Sequence, residues 1–298
     1  MQINVIGVPL FLGCDKKGVD LSPNQLREQG MLDILRKNNH TVFDLGNLYV
    51  PSISECNKFS SHPKMKYLNT IVEVNSNLAQ TVYSSLNSSS FPLVIGGDHS
   101  LGLGSICGAS KYYENLGVIW IDAHGDINTP ETSPTGNVHG MPLGAAMGFG
   151  DKALTNLYFN GSKVNPKNVF IIGARDLDKG ELELISKEGI NVYSTKDVEN
   201  KGILSILEDI KNILNKNNVE NIHLSFDIDS IDPEFASGTG TPVPDGMTVD
   251  DVKTLLSNLL KTGKIKSMDF VELNTKLEDG TITINLCLDL LDVISESL

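Results

Sequence analysis

The chain has 298 residues, 40% of them hydrophobic, and a formal net charge of −13. That is enough apolar material for a large core. The acidity opposes nucleic acid and anionic membrane surfaces and favours a small cationic partner.

Residues 2–7 (QINVIG) read as a first β-strand. Ser22-Pro23-x-Gln25 reads as a helix start, with Ser22 as N-cap, proline in the first turn and a capping-box glutamine. FPLVIGG (91–97) is an apolar run leading into Asp98-His99-Ser100, and LGVIWI (116–121) ends at Asp122. VFIIGA (169–174) ends at Arg175-Asp176. Residues 200–217 place Ile203, Leu207, Ile210 and Leu214 on one helical face. NIHLSF (221–226) ends at Asp227. Thr248-x-x-Asp251 opens another helix, which Gly263 closes. IKSMDFV (265–271) ends at Glu272, and 285–297 reads as a closing helix. This alternation predicts βαβ units: one α/β domain over 1–298 with a mostly parallel sheet. There is no repeat, linker or low-complexity block.

No apolar run approaches ~18 residues, so no membrane span is expected. No basic leader precedes an apolar stretch, so no signal peptide is expected. Cys14, Cys56, Cys107 and Cys287 lack metal-site spacing and read as free thiols of a reducing compartment, which implies a cytoplasmic protein.

Ligands of open parallel sheets gather beyond the carboxyl ends of the strands, and here the ionisable residues stand at those ends. In Asp122-Ala123-His124-Gly125-Asp126 the two-residue step lets Asp122, His124 and Asp126 face one point. Asp227-Ile228-Asp229 has the same step, and His99 ends a third run. A lone Asp-x-Asp is usually a solvated turn. Three such segments, each closing a buried strand, would be very costly unless cations compensate them. Four carboxylates and two imidazoles can serve two divalent metals if Asp122 and Asp227, right at their strand ends, act as bridges. Two such ions would neutralise the four aspartates. The oxygen-rich set with some imidazole suits Mn²⁺, and the lack of nearby thiols argues against structural zinc. Glu272 could pair with a guanidinium. His139, in the long loop 123–150, is a candidate proton carrier.

These residues resemble the arginase family of ureohydrolases. The matching segments are GGDHS (96–100), DAHGDINTPETSPTGNVHGMP (122–142), SFDIDSIDP (225–233) and the glutamate in DFVELN (269–274), together with VIGVPLFLG and LSPNQLR near the start. The resemblance covers nearly the whole chain, in the family's order. It implies a three-layer fold with an eight-stranded, mostly parallel sheet, two Mn²⁺ ions per subunit, and a homo-oligomer, trimer or hexamer. It implies that His99, Asp122, Asp126 and Asp227 hold one metal, and Asp122, His124, Asp227 and Asp229 the other. Asn128, Thr135 and Asn137 would meet the substrate's α-carboxylate. Asp178 would meet the α-amino group, in a segment that runs to Glu181, and Thr241 would line the site. Asp178-x-x-Glu181 is also a good helix cap. Gly125, where many relatives have Thr, should point away from the metals.

The implied reaction is hydrolysis of L-arginine to L-ornithine and urea. A hydroxide bridging the metals attacks the guanidinium carbon, Asp126 accepts its hydrogen bond, Glu272 orients the substrate and His139 protonates the departing amine. The alternatives are a ureohydrolase of agmatine or another guanidino or formimino substrate, a non-catalytic metal-stabilised binding protein, and a zinc deacetylase of related fold. The loop 128–137 separates the first from an arginase. Retention of every expected ligand with His139 and Glu272 argues against the second, and the two-metal ligand set against the third.

Overall fold

The computed structural model describes residues 1–277 and 281–298. Its strands are β1 Gln2–Val8, β2 Thr41–Asn47, β3 Phe91–Gly96, β4 Leu116–Ile121, β5 Val169–Ala174, β6 Asn191–Ser194, β7 Asn221–Asp227 and β8 Ile265–Val271. They form one sheet in the order β2-β1-β3-β8-β7-β4-β5-β6, and every pairing is parallel. The expected eight-stranded parallel sheet is therefore present.

Six strands coincide with the apolar runs. They lie inside the sheet, and β3, β4 and β5 are buried at every residue. Burial on both faces is what makes a parallel strand read as a continuous apolar run. The two strands without such a run are the edges. No residue of β2 is fully buried, and in β6 only Tyr193 is.

Alternate strand residues feed two separate cores, one on each face. Ile3, Val5, Ile119, Ile121, Leu224 and Phe226 pack beneath α1 (Ser22–Glu28), α2 (Met31–Arg36), α8 (Thr195–Lys201), α9 (Ile203–Lys216), α10 (Val249–Lys261) and α11 (Ile282–Ser297). Ile6, Val8, Val94, Val118, Trp120 and Val271 pack beneath α3 (Leu68–Asn87), α4 (Gly102–Tyr112), α5 (Pro142–Ala146), α6 (Lys152–Thr155) and α7 (Lys179–Glu188). Each fully buried large aliphatic contributes roughly 1.5–3 kcal/mol, so the two cores fix the relative positions of the strand ends between them.

Helix starts follow the sequence in part. Thr248 caps α10 as expected: its hydroxyl accepts from the Asp251 amide at 3.1 Å, and the Asp251 carboxylate accepts from the Thr248 amide at 3.2 Å. Gly263 follows α10 at φ +67, the left-handed conformation that glycine adopts without steric cost. The helix expected over 200–217 is two helices, broken at Gly202 (φ +76).

Ser22 is not the N-cap that its sequence context predicts. A 3₁₀ turn at Val19–Leu21 runs straight into α1, so Leu21 takes the cap position and is already helical. The Ser22 hydroxyl, with its single hydrogen, lies between two carbonyl acceptors, Val19 O at 2.8 Å and Gly96 O. Gln25 closes no capping box, because its side chain accepts from Thr275 Oγ1 at 2.7 Å. None of the described helices is long and apolar enough to cross a membrane.

Candidate metal centre and active site

The four central strands, in spatial order β3-β8-β7-β4, end side by side. Just past those ends stand His99, Glu272, the Asp227/Asp229 pair and the Asp122-to-Asp126 segment. Local turns aim them. The carboxylate of Asp98 caps the turn at His99–Leu101, accepting from Ser100 N at 3.0 Å and from Gly13 N at 2.8 Å. A Cβ at Gly13 would collide with that carboxylate. Asp227 caps the turn Ile228–Ser230, its Oδ1 accepting from Asp229 N at 2.8 Å.

Asp126 (φ +54) and Glu272 (φ +66) are left-handed, a conformation costing an L residue roughly 1–2 kcal/mol. The surroundings enforce it. Asp126 O accepts from Leu143 N at 3.0 Å and Gly144 N at 3.1 Å. Glu272 N donates to Gly97 O at 3.0 Å, and its Oε1 accepts from His99 N at 2.8 Å. Arg175 fastens the 230–247 loop by donating to Asp229 O and Val243 O, each at 2.7 Å.

His99 Nδ1 lies 2.9 Å from Asp122 Oδ2, 3.1 Å from Asp227 Oδ2 and 3.2 Å from Asp126 Oδ2. It makes a well-directed hydrogen bond to none of them. His124 Nδ1 lies 3.3 Å from Asp122 Oδ1 and 3.2 Å from Asp229 Oδ2. Two donor groups result, His99/Asp122/Asp227 and Asp122/His124/Asp229. Asp122 turns one oxygen toward each. Asp126 Oδ2 approaches the first group at His99 Nδ1, 3.2 Å away. Asp227, expected in both, has Oδ2 in the first group and Oδ1 on the Asp229 amide.

The electrostatics match a cation trap. Burial, then the neighbouring carboxylates, push Asp227 and Asp229 up, and burial with the Asp122 charge raises Asp126 to about 6. Burial would raise Asp122 too, but His124 and His99 hold it well below the usual carboxylate range. Burial opposes a charged ring at His99 and His124, yet the surrounding aspartates outweigh it and raise both. Buried carboxylates outnumber the imidazoles that could balance them, an arrangement that is costly without added positive charge. The oxygen-and-imidazole donor set and the undirected Nδ1 of His99 fit a pair of divalent cations.

A supporting layer was not foreseen. Trp120 stacks on the His99 ring, centroids 3.9 Å apart and planes within 8°, and its Nε1–H donates to Asp122 Oδ2 at 2.9 Å. Ser225 Oγ lies 2.8 Å from His99 Nε2. Each sits two residues before a member of the donor groups, Asp122 just past β4 and Asp227 at the end of β7, hence on the same face. The available signal was the polar Ser225 inside an otherwise apolar run.

Above the carboxylates opens a cavity of about 230 Å³. Of the expected residues, His124, Asp126, Asn128, Thr135, Asn137, His139, Asp178, Glu181, Asp227, Asp229 and Thr241 line it. Glu272 is buried beneath, its Oε1 3.1 Å from His139 Nδ1. Burial would lower His139, but this carboxylate outweighs it and raises the ring to about 9. Thr241 Oγ1 donates to Asp229 Oδ2 at 3.0 Å.

At the rim, Asn128 Nδ2 donates to Asp178 Oδ2 at 2.8 Å. Asn137 donates from Nδ2 to Cys14 O at 3.2 Å, and its Oδ1 accepts from Lys66 Nζ at 2.7 Å, a contact the sequence did not reveal. Lys66 is itself held by Asp15 at 3.1 Å. The Asp178/Glu181 capping box forms. Both Glu181 oxygens are taken by backbone amides, Ile127 N at 3.1 Å and Asp178 N at 2.9 Å, and burial raises the carboxyl to about 7. A Cβ at Gly125 would press on Glu181 and Leu177, away from the donor groups.

A doubly wound parallel sheet with two overlapping Asp/His donor groups at its central strand ends is the frame of a metal-dependent hydrolase. Residues 1–294 match the family model described as the arginase family. The chain is 40% identical to the arginase of Bacillus subtilis over 290 residues, 97% of this chain and 96% of that one. It is 41% identical to an arginase of Staphylococcus aureus over 282 residues, covering 94% and 92% of the two chains. The solved arginase of Bacillus caldovelox superposes with a TM-score of 0.93 at 38% identity, covering 99% of this chain and 98% of that one. The chain belongs to the arginase family. The family implies a binuclear metal site, and the two donor groups are candidates for it.

Proposed function

We propose that the protein, working as one catalytic domain, hydrolyses L-arginine to L-ornithine and urea. The observation that carries this reading is Asp122, which turns one carboxylate oxygen to each of two donor groups at the floor of a small polar cavity. His99, Asp122, Asp126 and Asp227 would hold one Mn²⁺, and Asp122, His124, Asp227 and Asp229 the other. When bound, the pair supplies Lewis acidity that lowers the pKa of a shared water toward neutrality.

The chain's own groups do the rest. Asp126, whose Oδ2 lies 3.2 Å from His99 Nδ1, accepts a hydrogen bond from the attacking water. Glu272, fixed by the His99 amide, orients the guanidinium through its carboxylate. His139 holds a proton on a ring raised to about 9 and delivers it to the leaving amine. Asn128, Thr135 and Asn137 take the α-carboxylate, and Asp178, with Glu181 bracing it, takes the α-amino group. Thr241 steadies Asp229. A homo-oligomer, trimer or hexamer, follows from the family resemblance alone, and a cytoplasmic location accords with the free cysteines.

The test is urea release from Mn²⁺-loaded protein, with L-arginine and agmatine assayed in parallel. Strong preference for L-arginine is the expected result. Preference for agmatine would overturn the role given to Asn128, Thr135 and Asn137, and no urea from either would overturn the proposed reaction.

A further inference from the structure

Below the metal-ligand layer the sheet carries a second, fully buried polar ladder. On β7, His223 and Ser225 lie on the same face as Asp227. On β8, Ser267 and Asp269 stand directly opposite them, His223 paired with Ser267 and Ser225 with Asp269. From α4, Ser105 joins the group. All five are at most 1% exposed. A polar cluster in the middle of a parallel sheet is expensive unless each group is satisfied, and the proposed reaction uses none of it directly.

The hydrogen bonds have a direction. Asp269 Oδ2 receives Ser105 Oγ at 2.6 Å, His223 Nε2 at 3.0 Å and Ser225 Oγ at 3.2 Å. Three donors converge on one carboxylate oxygen, so that oxygen is an acceptor. Ser225 has a single hydroxyl hydrogen, and Asp269 takes it. The Ser225 oxygen, 2.8 Å from His99 Nε2, is left to accept. The proton of a neutral His99 ring therefore belongs on Nε2. Nδ1, the atom that faces Asp122, Asp126 and Asp227, keeps its lone pair. On its far side His223 Nδ1 meets Ser267 Oγ at 2.8 Å, which anchors the ring that helps hold Asp269.

We propose that Asp269 is a positioning residue for the metal centre: through Ser225 it fixes the tautomer of His99 and readies Nδ1 as a metal donor. This rests on the reading of His99 as a ligand. Outer partners of ligating histidines fix tautomer, ring orientation and basicity, and their loss typically costs 10–100-fold in metal affinity.

The test is Mn²⁺ titration calorimetry on the full chain, with melting of the metal-free protein alongside. The variants are Asp269→Asn, Ser225→Ala and the double variant. An asparagine is a weaker, neutral acceptor whose NH₂ can also donate to Ser225, so the direction is no longer imposed. The expected result is about 10–100-fold weaker binding at one of the two ions in each single variant, and no further loss in the double. Wild-type affinity for both ions in Asp269→Asn would overturn the proposal. So would losses that multiply in the double variant. If Asp269→Asn does not fold, Ser225→Ala decides: unchanged affinity there overturns the inference. A wild type that binds no Mn²⁺ would instead bring down the proposed metal centre itself.

Discussion

His139 Nδ1 lies 3.1 Å from Glu272 Oε1, although the two residues are 133 positions apart and come from a loop turn and a strand end. Glu272 is thereby tied both to the ring proposed as the proton carrier and to the His99 amide. The carboxylate read as steering the substrate also sets how firmly the ring keeps its proton.

Replacing His139 with Asn keeps a hydrogen-bonding side chain at that place but removes the titrating group. Turnover should fall about 10²–10⁴-fold, while metal content stays at the wild-type level. Steady-state kinetics and metal analysis on one preparation check both, and loss of the ions in this variant would contradict the proton-carrier role.

Asp122 serves both donor groups and Asp229 only one. Asp122→Asn should therefore abolish tight binding of both ions, whereas Asp229→Asn should spare one. Metal analysis after exhaustive dialysis separates the two. Equal stoichiometry in the two variants would refute the sharing of Asp122.

Lys66 holds the Asn137 amide oxygen at 2.7 Å, which keeps one Nδ2 hydrogen on Cys14 O and leaves the other for a ligand. With Lys66→Met the amide can turn over. KM for L-arginine should rise about tenfold, or ~1.4 kcal/mol, just under the ~1.5–3 kcal/mol of a charge-assisted bond, with kcat nearly unchanged. A fall in kcat at constant KM would show that Lys66 acts elsewhere.

Glu181 is raised by burial to about 7, above its unfolded range. The folded protein then binds more protons than the unfolded one between roughly pH 4.5 and 7. The raised carboxyl favours folding below that window, and the advantage is lost as pH climbs through it, a change on the order of 3 kcal/mol. Urea melts at pH 5 and pH 8 should show a smaller difference for Glu181→Gln than for the wild type; equal differences would rule the assignment out.

The strands that carry the site were legible because burial on both faces writes them as unbroken apolar runs. Asp122, His124, Asp126, Asp227 and Asp229 were legible as ionisable residues closing apolar runs, but the extended chain assumed for their two-residue step is not what aims them: Asp126 is left-handed at φ +54 and Asp229 lies in a 3₁₀ turn. β2 and β6 left no such trace, since an edge strand that faces water needs no apolar run. α3 escaped as well: it starts after Tyr67 in a left-handed conformation, with no side chain capping it. Trp120, Ser225 and Lys66 gain their roles from the way strands and loops meet. Spacing along the chain carries no information about Lys66 and Asn137, 71 residues apart. Ser22 shows the converse, a correct local signal overridden by the turn that precedes it.

The strands that end at the two donor groups are the middle of the sheet, with two more strands on either side. Amide hydrogens in β7 and β4 should therefore exchange with solvent only when the whole domain opens, while those of β2 and β6 exchange through local fraying. An ion seated at those strand ends leaves through the cavity mouth or with collapse of the entire fold. Erosion of the sheet's borders, by heat or by sequence drift, would leave the spacing of the donor atoms untouched.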